Sequence, residues 1–147
     1  MKFSTRSRYA LRALLELGLD YGKGPLQLKE IAKRQDISSR YLERIFSMLV
    51  SHGIIESLRG QHGGFVLSKP PQEIKLSQIV KIVEGPIAPV VCVSNPARCK
   101  RSSICAVRDV WEKIAKAILE ILNSMTLNDL IELQNKKLSK AKVIYNI

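Results

Sequence analysis

The sequence of 147 residues predicts a mainly α-helical fold: a winged helix-turn-helix domain with a small β-hairpin wing, plus a long dimerisation helix. Three observations predict it. Apolar residues recur at helical spacing in the first fifty residues, in stripes separated by short breaks. A glycine-rich segment between two short apolar runs follows them, as in a β-hairpin. A later helix has apolar residues at alternating steps of four and three, which is typical of a helix that packs along another helix.

The composition favours a folded, basic protein. Apolar residues make up 46% of the chain and the formal net charge is +11, so a polyanion such as double-stranded DNA is a suitable partner. The charge is spread along the chain and locates no binding face by itself. No uncharged apolar run approaches the roughly 18 residues that a membrane span needs. We therefore expect a cytoplasmic protein without a membrane partner.

Two helices and a short break are predicted at the beginning of the chain. The first helix ends before residues 21–25, where two glycines and a proline make a loop. A shorter helix covers residues 28–34, and residues 35–37 break it. Ser38 or Ser39 then caps the next helix, since a serine hydroxyl accepts the free amide hydrogens at a helix start. The inward stripe of the first helix is Ala10, Ala13, Leu14 and Leu17.

The third helix has the strongest periodicity in the chain, and it ends at Gly53. Its apolar residues repeat at i, i+3, i+4, i+7 and i+8, which places them on one face. Two strands follow, at residues 54–58 and 65–67, and residues 59–64 join them with three glycines. Glycine permits a tight reversal, so this segment is predicted to be a hairpin with a basic tip. The stripe of the third helix consists of Leu42, Ile45, Phe46, Leu49 and Val50.

Residues 76–84 form a predicted helix, and an irregular segment with all three cysteines follows it. The next helix carries an apolar seam of about two and a half heptads, which needs a second helix to cover it. The seam residues are Val107, Trp111, Ile114, Ile118, Ile121 and Met125. Thr126, with Asp129 three residues later, caps a last helix that extends to about Leu138.

These elements divide the chain into three predicted parts. Residues 1–84 form the winged-helix DNA-binding domain, residues 85–104 form the cysteine-bearing loop, and residues 105–147 form the dimerisation helix and the C-terminal helix. The loop is therefore expected between the DNA-binding domain and the helix that joins two copies.

The order of helix, helix, turn, helix and hairpin is that of a DNA-binding winged helix. An α-helix fits the major groove, so the outer face of the third helix is the candidate for base recognition. Arginine pairs with guanine or phosphate, and glutamate accepts from cytosine. The candidates on the helix are Ser39, Arg40, Glu43 and Arg44, and those on the hairpin are Arg59, Gln61 and His62. The alternative interpretation of the third helix is that its polar face is only solvated. We expect neither His52 nor His62 to be a metal ligand.

Cys92, Cys99 and Cys105 are separated by six and five residues. Such close spacing is unlike the disulfide framework of a secreted protein. Thiolates are soft ligands that hold iron-sulfur clusters or zinc, and nearby cations favour the thiolate form. Those cations are Arg98, Lys100 and Arg101. The spacing alone leaves three interpretations open: a cluster or metal site, redox-active thiols, or no special chemistry.

Four segments resemble the IscR/NsrR-type family of winged-helix regulators. They are TRSRYAL at 5–11, ISSRYLE at 37–43, RGQHGGF at 59–65 and the three-cysteine loop, so the resemblance spans nearly the whole chain. It implies a homodimer joined through the helix after the cysteines, and DNA sites of approximate two-fold symmetry. It also implies a two-iron or four-iron iron-sulfur cluster, with the three cysteines as ligands. The other positions carried over are Tyr41, Glu43 and Arg59 for DNA contact and Trp111 for the dimer seam.

Two positions depart from the family pattern. The IscR-like branch has a histidine three residues after the last cysteine, where this chain has Arg108, and arginine does not ligate iron. The NsrR-like branch takes an aspartate from the partner's first helix, where this chain has Arg8. The fourth ligand is therefore not assigned. The candidates are Asp109, Glu84, Glu16, or an exogenous thiol or water.

The resulting prediction is a homodimeric repressor that binds double-stranded DNA and senses iron-sulfur, redox or nitric oxide status through its cluster. The alternative is a DNA-binding regulator without a cluster, whose cysteines are redox thiols, a zinc site or inert. An enzyme is not predicted. The chain has only two histidines, both in the DNA-binding region, and no nucleophile elbow, phosphate loop or recognisable pair of carboxylates.

Overall fold

A computed structural model describes residues 2–146. It confirms the predicted fold class, which is mainly α-helical with one small antiparallel hairpin. The helices are α1 (Thr5–Leu19), α2 (Leu28–Gln35), α3 (Ser39–Ser51), α4 (Leu76–Glu84), α5 (Val91–Ser94), α6 (Ala106–Ser124) and α7 (Leu127–Tyr145), and the strands are β1 (Ile55–Leu58) and β2 (Gly64–Leu67). None of the helices within residues 2–146 combines the length and the hydrophobicity of a membrane-spanning segment.

The apolar stripes of α1 and α3 pack together in the core. Every predicted inward residue of α1 is buried, and so are Leu42, Ile45, Phe46 and Leu49 of α3. Each fully buried leucine, isoleucine or phenylalanine stabilises the fold by about 1.5–3 kcal/mol. Val50 is 38% exposed, so its assignment to the stripe was wrong. It lies about 80° around the helix from Leu42, at the edge of the buried face.

The turn between α2 and α3 sets the angle between the two helices. Asp36 ends α2 in the left-handed region, with φ of 51°, a conformation that aspartate tolerates better than most residues. Ile37 is buried, and Ser38 is the N-cap of α3, with its hydroxyl accepting from the Tyr41 amide. Ser38 is therefore the cap, and Ser39 begins the helix. A short turn anchored in the core is what a helix-turn-helix requires.

The hairpin is fastened to the rest of the domain at two places. Leu26 forms an isolated antiparallel bridge with Phe65, with which it exchanges backbone hydrogen bonds of 3.0 and 2.9 Å. Gly64 permits this approach: its φ is +152°, and a Cβ there would lie 2.6 Å from the Leu26 carbonyl oxygen. The Phe65 ring packs edge-on against Phe46 of α3, with the centroids 4.9 Å apart. The wing is therefore seated directly on α3.

The beginning of α7 completes the core. Leu127 is fully buried, and its amide donates to the Ile74 carbonyl at 2.8 Å. Gly18 of α1 lies where α7 crosses, and a Cβ there would lie 2.6 Å from Cδ1 of Ile131. Glycine is unfavourable within a helix, but at position 18 it leaves room for Ile131 at the crossing of α1 and α7. The three-part division of the chain stays a prediction, and the first turns of α7 share the core of its first part.

Some element boundaries differ from the prediction. α7 continues to Tyr145 instead of ending near Leu138, because no glycine or proline interrupts the lysine-rich end. Met125 lies after α6 and packs against the core, so it does not continue the seam. Residues 85–104 are not wholly irregular, since they contain α5 and a 3-10 turn at Pro96–Arg98.

The last residue of α4 holds the beginning of α1. Oε1 of Glu84 accepts from the Ser4 amide at 2.6 Å and from the Ser7 hydroxyl at 2.7 Å. A carboxylate here satisfies a helix-start amide and interacts favourably with the helix dipole. Burial raises the pKa of Glu84, but the hydrogen bonds from Ser4 and Ser7 and the charge of Arg6 outweigh it and hold the pKa below its ordinary value.

We expect Glu84→Gln to lower the free energy of unfolding by about 1 kcal/mol at neutral pH, because the variant has no charge at the helix start. The folded-state pKa of Glu84 is lowered, so its stabilising effect is complete above the unfolded-state pKa and disappears as the pH falls through the folded-state pKa. Urea unfolding from neutral pH towards pH 4 should show the difference between wild type and variant shrinking. Glu56→Gln, on the exposed face of β1, is the control. A difference that is constant with pH would contradict the expectation.

Candidate nucleic-acid interface and cysteine loop

The outer face of α3 is polar and accessible. Arg40, Glu43 and Arg44 are exposed, and Ser39 at the helix start is half-buried. The three exposed side chains lie within an arc of about 100° around the helix, opposite the stripe that packs in the core. The structure therefore places the predicted α3 residues on one side of one helix. We call this set the outer face of α3.

The arginines of the outer face of α3 and of the wing tip form no salt bridge within residues 2–146. Of the salt bridges among residues 2–146, none involves Arg40, Arg44 or Arg59. Arg34 of α2 instead gathers three carboxylates, and the hydrogen bonds to them, with the largest contribution from Glu30, raise the pKa of Arg34 further above its ordinary value. Its partners are Glu16 at 3.2 Å, Asp20 at 3.0 Å and Glu30 at 3.1 Å.

An aromatic pair that the sequence did not predict supports the beginning of α3. The half-buried ring of Tyr41 meets Tyr9 of α1 edge-on, with the centroids 5.8 Å apart. The guanidinium of Arg12 lies 5.4 Å from the centroid of Tyr9. It also donates to the side chain and the backbone carbonyl of Gln35. Tyr41 is thus held from α1, and the only sequence signal for its partner is that Tyr9 belongs to the segment TRSRYAL.

The tip of the wing carries the second group of predicted residues. Arg59, Gln61 and His62 are all exposed, and Gly60, with φ of +114°, allows the reversal between them. Because the wing packs on α3, its tip and the outer face of α3 belong to one structural unit. A solvated turn requires none of these three side chains.

α6 has an apolar face that no other element covers within residues 2–146. Trp111 and Ile118 are half-buried, and Ala115 is the only buried residue of the helix. The helix packs against α4 and α5 on one side. Its exposed apolar residues are Val107 (59%), Val110 (52%), Ile114 (37%) and Ile121 (61%).

The three cysteines lie in successive short elements. Cys92 is in α5, Cys99 follows the 3-10 turn at Pro96–Arg98, and Cys105 is the N-cap of α6. Each thiol is half-buried and none forms a disulfide. The loop thus connects α4, which packs in the winged-helix core, to α6.

Arg108 replaces the histidine of the IscR-like pattern and has a structural role here. Its Nε donates to the backbone carbonyl of Cys92 at 3.0 Å. The same guanidinium pairs with Glu112, one turn along α6, at 3.6 Å. Arg108 therefore links α5 to α6. It occupies the position of the histidine in the IscR-like pattern, and its side chain does not ligate iron.

The three cysteine side chains are not grouped as a ligand set in the folded loop. Residues 2–146 contain no group of three or more cysteine, histidine or acidic side chains placed to hold a metal ion. Two candidate fourth ligands are engaged elsewhere: Glu84 holds α1, and Glu16 pairs with Arg34. Asp109 is exposed in the first turn of α6. The thiols have the right donor chemistry, but they are not assembled into a ligand set.

Comparisons with known proteins place the chain in a family and confirm the resemblance. A family model described as "Rrf2: Iron-dependent Transcriptional regulator" matches residues 3–133. The HTH-type transcriptional regulator CymR of Bacillus subtilis (strain 168) is 39% identical over 130 residues, which are 88% of this chain and 89% of that protein.

Two solved structures share the fold at substantial identity. CymR of B. subtilis, described as a global cysteine regulator, has a TM-score of 0.77 at 38% identity and covers 90% of this chain and 98% of its own. IscR of T. potens has a TM-score of 0.75 at 34% identity, with 90% of this chain and 87% of its own covered. Together with the family match, these similarities show that the chain belongs to the Rrf2 family of transcriptional regulators.

Proposed function

We propose that the chain is a dimeric repressor that binds double-stranded DNA through the outer face of α3 and the tip of the wing, with the cysteine loop as its sensory element. The observation that carries this proposal is the exposed group of Arg40, Glu43 and Arg44 on a helix whose opposite face is locked in the core. The relatives are transcriptional regulators, and no enzymatic activity is proposed.

The side chains on α3 divide into those that attract phosphate and one that repels it. Arg40 and Arg44 are one helical turn apart, so one can pair with a guanine edge while the other contacts a phosphate. Glu43 lies at one edge of the arc that they share and is repelled by phosphates, which favours a position at a cytosine amino group. Ser39 and the amides at the beginning of α3 suit a phosphate oxygen. Glu43 is therefore the residue that we expect to determine sequence preference.

Tyr41 and the wing complete the proposed DNA-binding surface. We propose that the Tyr41 hydroxyl contacts a backbone phosphate. The Tyr41 ring packs edge-on against Tyr9, so removal of either ring would also disturb the beginning of α3. Arg59 at the wing tip suits the DNA backbone or the minor groove, where a cation is attracted whatever the base sequence. Gln61 and His62 can donate hydrogen bonds to the DNA backbone beside Arg59.

Substitutions of Glu43 and Arg59 should have different effects on DNA binding. Glu43→Ala should relax the preference at one base pair in each half-site by about 1–3 kcal/mol, because alanine cannot accept the proposed hydrogen bond from a base. Arg59→Ala should weaken binding to operator and random duplexes alike and lower the salt slope by about 1 per protomer. Selection of binding sites from a random pool, followed by titrations at several salt concentrations, measures both effects.

Glu132→Ala is the matched control for Glu43→Ala, since it removes the same charge from an exposed position on α7. It should leave the selected sequence unchanged. An equal loss of affinity on all sequences after Glu43→Ala would show that Glu43 does not recognise a base.

The dimer is proposed from the exposed apolar face of α6. Val107, Ile114 and Ile121 are separated by seven residues each and belong to the predicted seam, and all three are exposed. A heptad repeat keeps such residues facing a partner helix over several turns. Burial of apolar surface stabilises by about 25 cal/mol per Å², so pairing of two α6 helices is the favourable way to cover this face. Two copies joined in this way present two α3 helices.

Replacement of seam residues by charge should separate the copies. Ile114→Asp with Ile121→Asp should give a species of the 16.5 kDa chain mass in light scattering, where wild type should have twice that mass. Lys116→Asp with Asn123→Asp is the control, because each site lies two residues further along α6 and is exposed. A wild-type protein that is monomeric at micromolar concentration would contradict the proposal.

Two chemistries for the sensory loop are supported by different observations. An iron-sulfur cluster is supported by the thiol donors, the iron-dependent family description and the likeness to IscR. Its ligands would be Cys92, Cys99 and Cys105, with a fourth from a small molecule. Thiol oxidation without a cluster is supported by the unassembled ligand set, by Arg108 and by the likeness to CymR, which has been solved in an oxidised form from Staphylococcus aureus.

Anaerobic purification distinguishes these chemistries. A cluster should give visible absorbance with matching iron and sulfide, and the variant with all three cysteines replaced by alanine should be colourless. Thiol sensing should instead give a colourless wild type whose DNA affinity changes after peroxide treatment, while the triple variant does not respond. A colourless protein that cannot be reconstituted rejects the cluster. If the DNA affinity of that colourless protein is also unchanged by peroxide, thiol sensing is rejected as well.

A further inference from the structure

The second half of α7 carries a concentrated positive charge outside the part of the chain that the family model matches. The match ends at residue 133, whereas the helix continues to Tyr145. From residue 133 onward the chain has four lysines and no acidic residue, so this segment supplies +4 of the net charge of +11. The lysines are Lys136, Lys137, Lys140 and Lys142, and all four are exposed.

Interactions within the helix do not account for these cations. The helix dipole favours cations only in the last turn, where Lys142 lies. Lys136 and Lys140 are four residues apart, and like charges at this spacing destabilise a helix. No salt bridge within residues 2–146 involves any of the four lysines. The charge therefore lacks a partner inside the described chain.

Three of the lysines share one side of the helix. Lys136, Lys137 and Lys140 lie within an arc of about 100° at 3.6 residues per turn. Leu127 and Ile131, which pack in the core, point to a different side. The arrangement is a basic stripe on the solvent side of a helix that is anchored at its beginning.

We propose that residues 134–146 are a second DNA-contacting element, which neutralises backbone phosphates outside the site recognised by α3. This inference rests on the proposed DNA-binding function, because the duplex that α3 binds is the polyanion brought close to the protein. Phosphate contacts require charge and reach and no base complementarity. The four exposed lysines supply the charge, and α7 extends for about 18 Å from residue 134 to Tyr145 at 1.5 Å per residue, which supplies the reach.

Duplex DNA is a better match for this helix than an anionic membrane. A helix that lies on a membrane needs its apolar residues on one face. The exposed large apolar residues of the segment 134–146 are Leu138, Val143, Ile144 and Tyr145, and at 3.6 residues per turn they spread over about 220° of the helix. They form no apolar face, whereas the lysines form a stripe.

The salt dependence of DNA binding tests the proposal. The tail variant carries Lys136→Gln, Lys137→Gln, Lys140→Gln and Lys142→Gln, which keep helix propensity and remove the charge. Its plot of log affinity against log salt should be shallower by about 0.9 for each phosphate that is no longer neutralised, hence by roughly 2 or more per dimer. Operator and random duplexes should lose the same factor in affinity, since the four substitutions leave base recognition by α3 intact.

The control variant replaces four other exposed lysines by glutamine, at Lys23, Lys81, Lys113 and Lys116. It therefore has the same net charge as the tail variant. Its salt slope should stay close to that of wild type. An unchanged slope in the tail variant, or equal changes in both variants, would overturn the proposal while DNA binding itself stands. A wild type that binds no duplex at low salt would remove the proposed function together with this inference. Co-sedimentation with phosphatidylserine vesicles that only the tail variant loses, at an unchanged DNA slope, would assign the helix to a membrane.

Discussion

Burial of one face of α3 is the constraint on which the rest of the structure depends. Leu42 and Phe46 are buried in the core, and Phe46 also seats the wing through Phe65. Rotating α3 by half a turn would bury arginines without partners, at a cost of several kcal/mol. Hydrophobic packing of α3 therefore leaves Arg40 and Arg44 facing solvent. The contact between Phe46 and Phe65 also holds the wing against α3. The proposed DNA surface is a consequence of the core.

The periodic elements could be predicted from the sequence because their apolar residues recur at a fixed interval. This holds for α1, α3 and α6, and glycine spacing likewise predicted the hairpin. Interactions between distant segments could not be predicted in this way. Glu84 binds Ser4 across 80 residues of chain, and Gly18, a weak helix former by propensity, is explained only by its crossing with Ile131. The length of α7 was missed because an exposed lysine-rich helix has no apolar periodicity.

The cysteine loop shows where sequence and family membership stop determining chemistry. The spacing of the thiols identifies donors, but a ligand set also requires that their side chains converge, which depends on the loop conformation. Arg108 binds the Cys92 carbonyl and Glu112, so it stabilises an arrangement without a fourth ligand. Relatives named CymR and IscR are both similar to this chain over most of its length.

Hydroxyl-radical footprinting on a selected operator decides whether two copies present their α3 helices to one duplex. We expect two protected patches on each strand, related by a two-fold axis and spaced by about one helical turn of 10–10.5 base pairs or a multiple of it. The stoichiometry should be two chains per site. A single unsymmetrical patch, or protection that does not depend on sequence even at moderate salt, would contradict the proposed pairing of α3 with the α6 dimer.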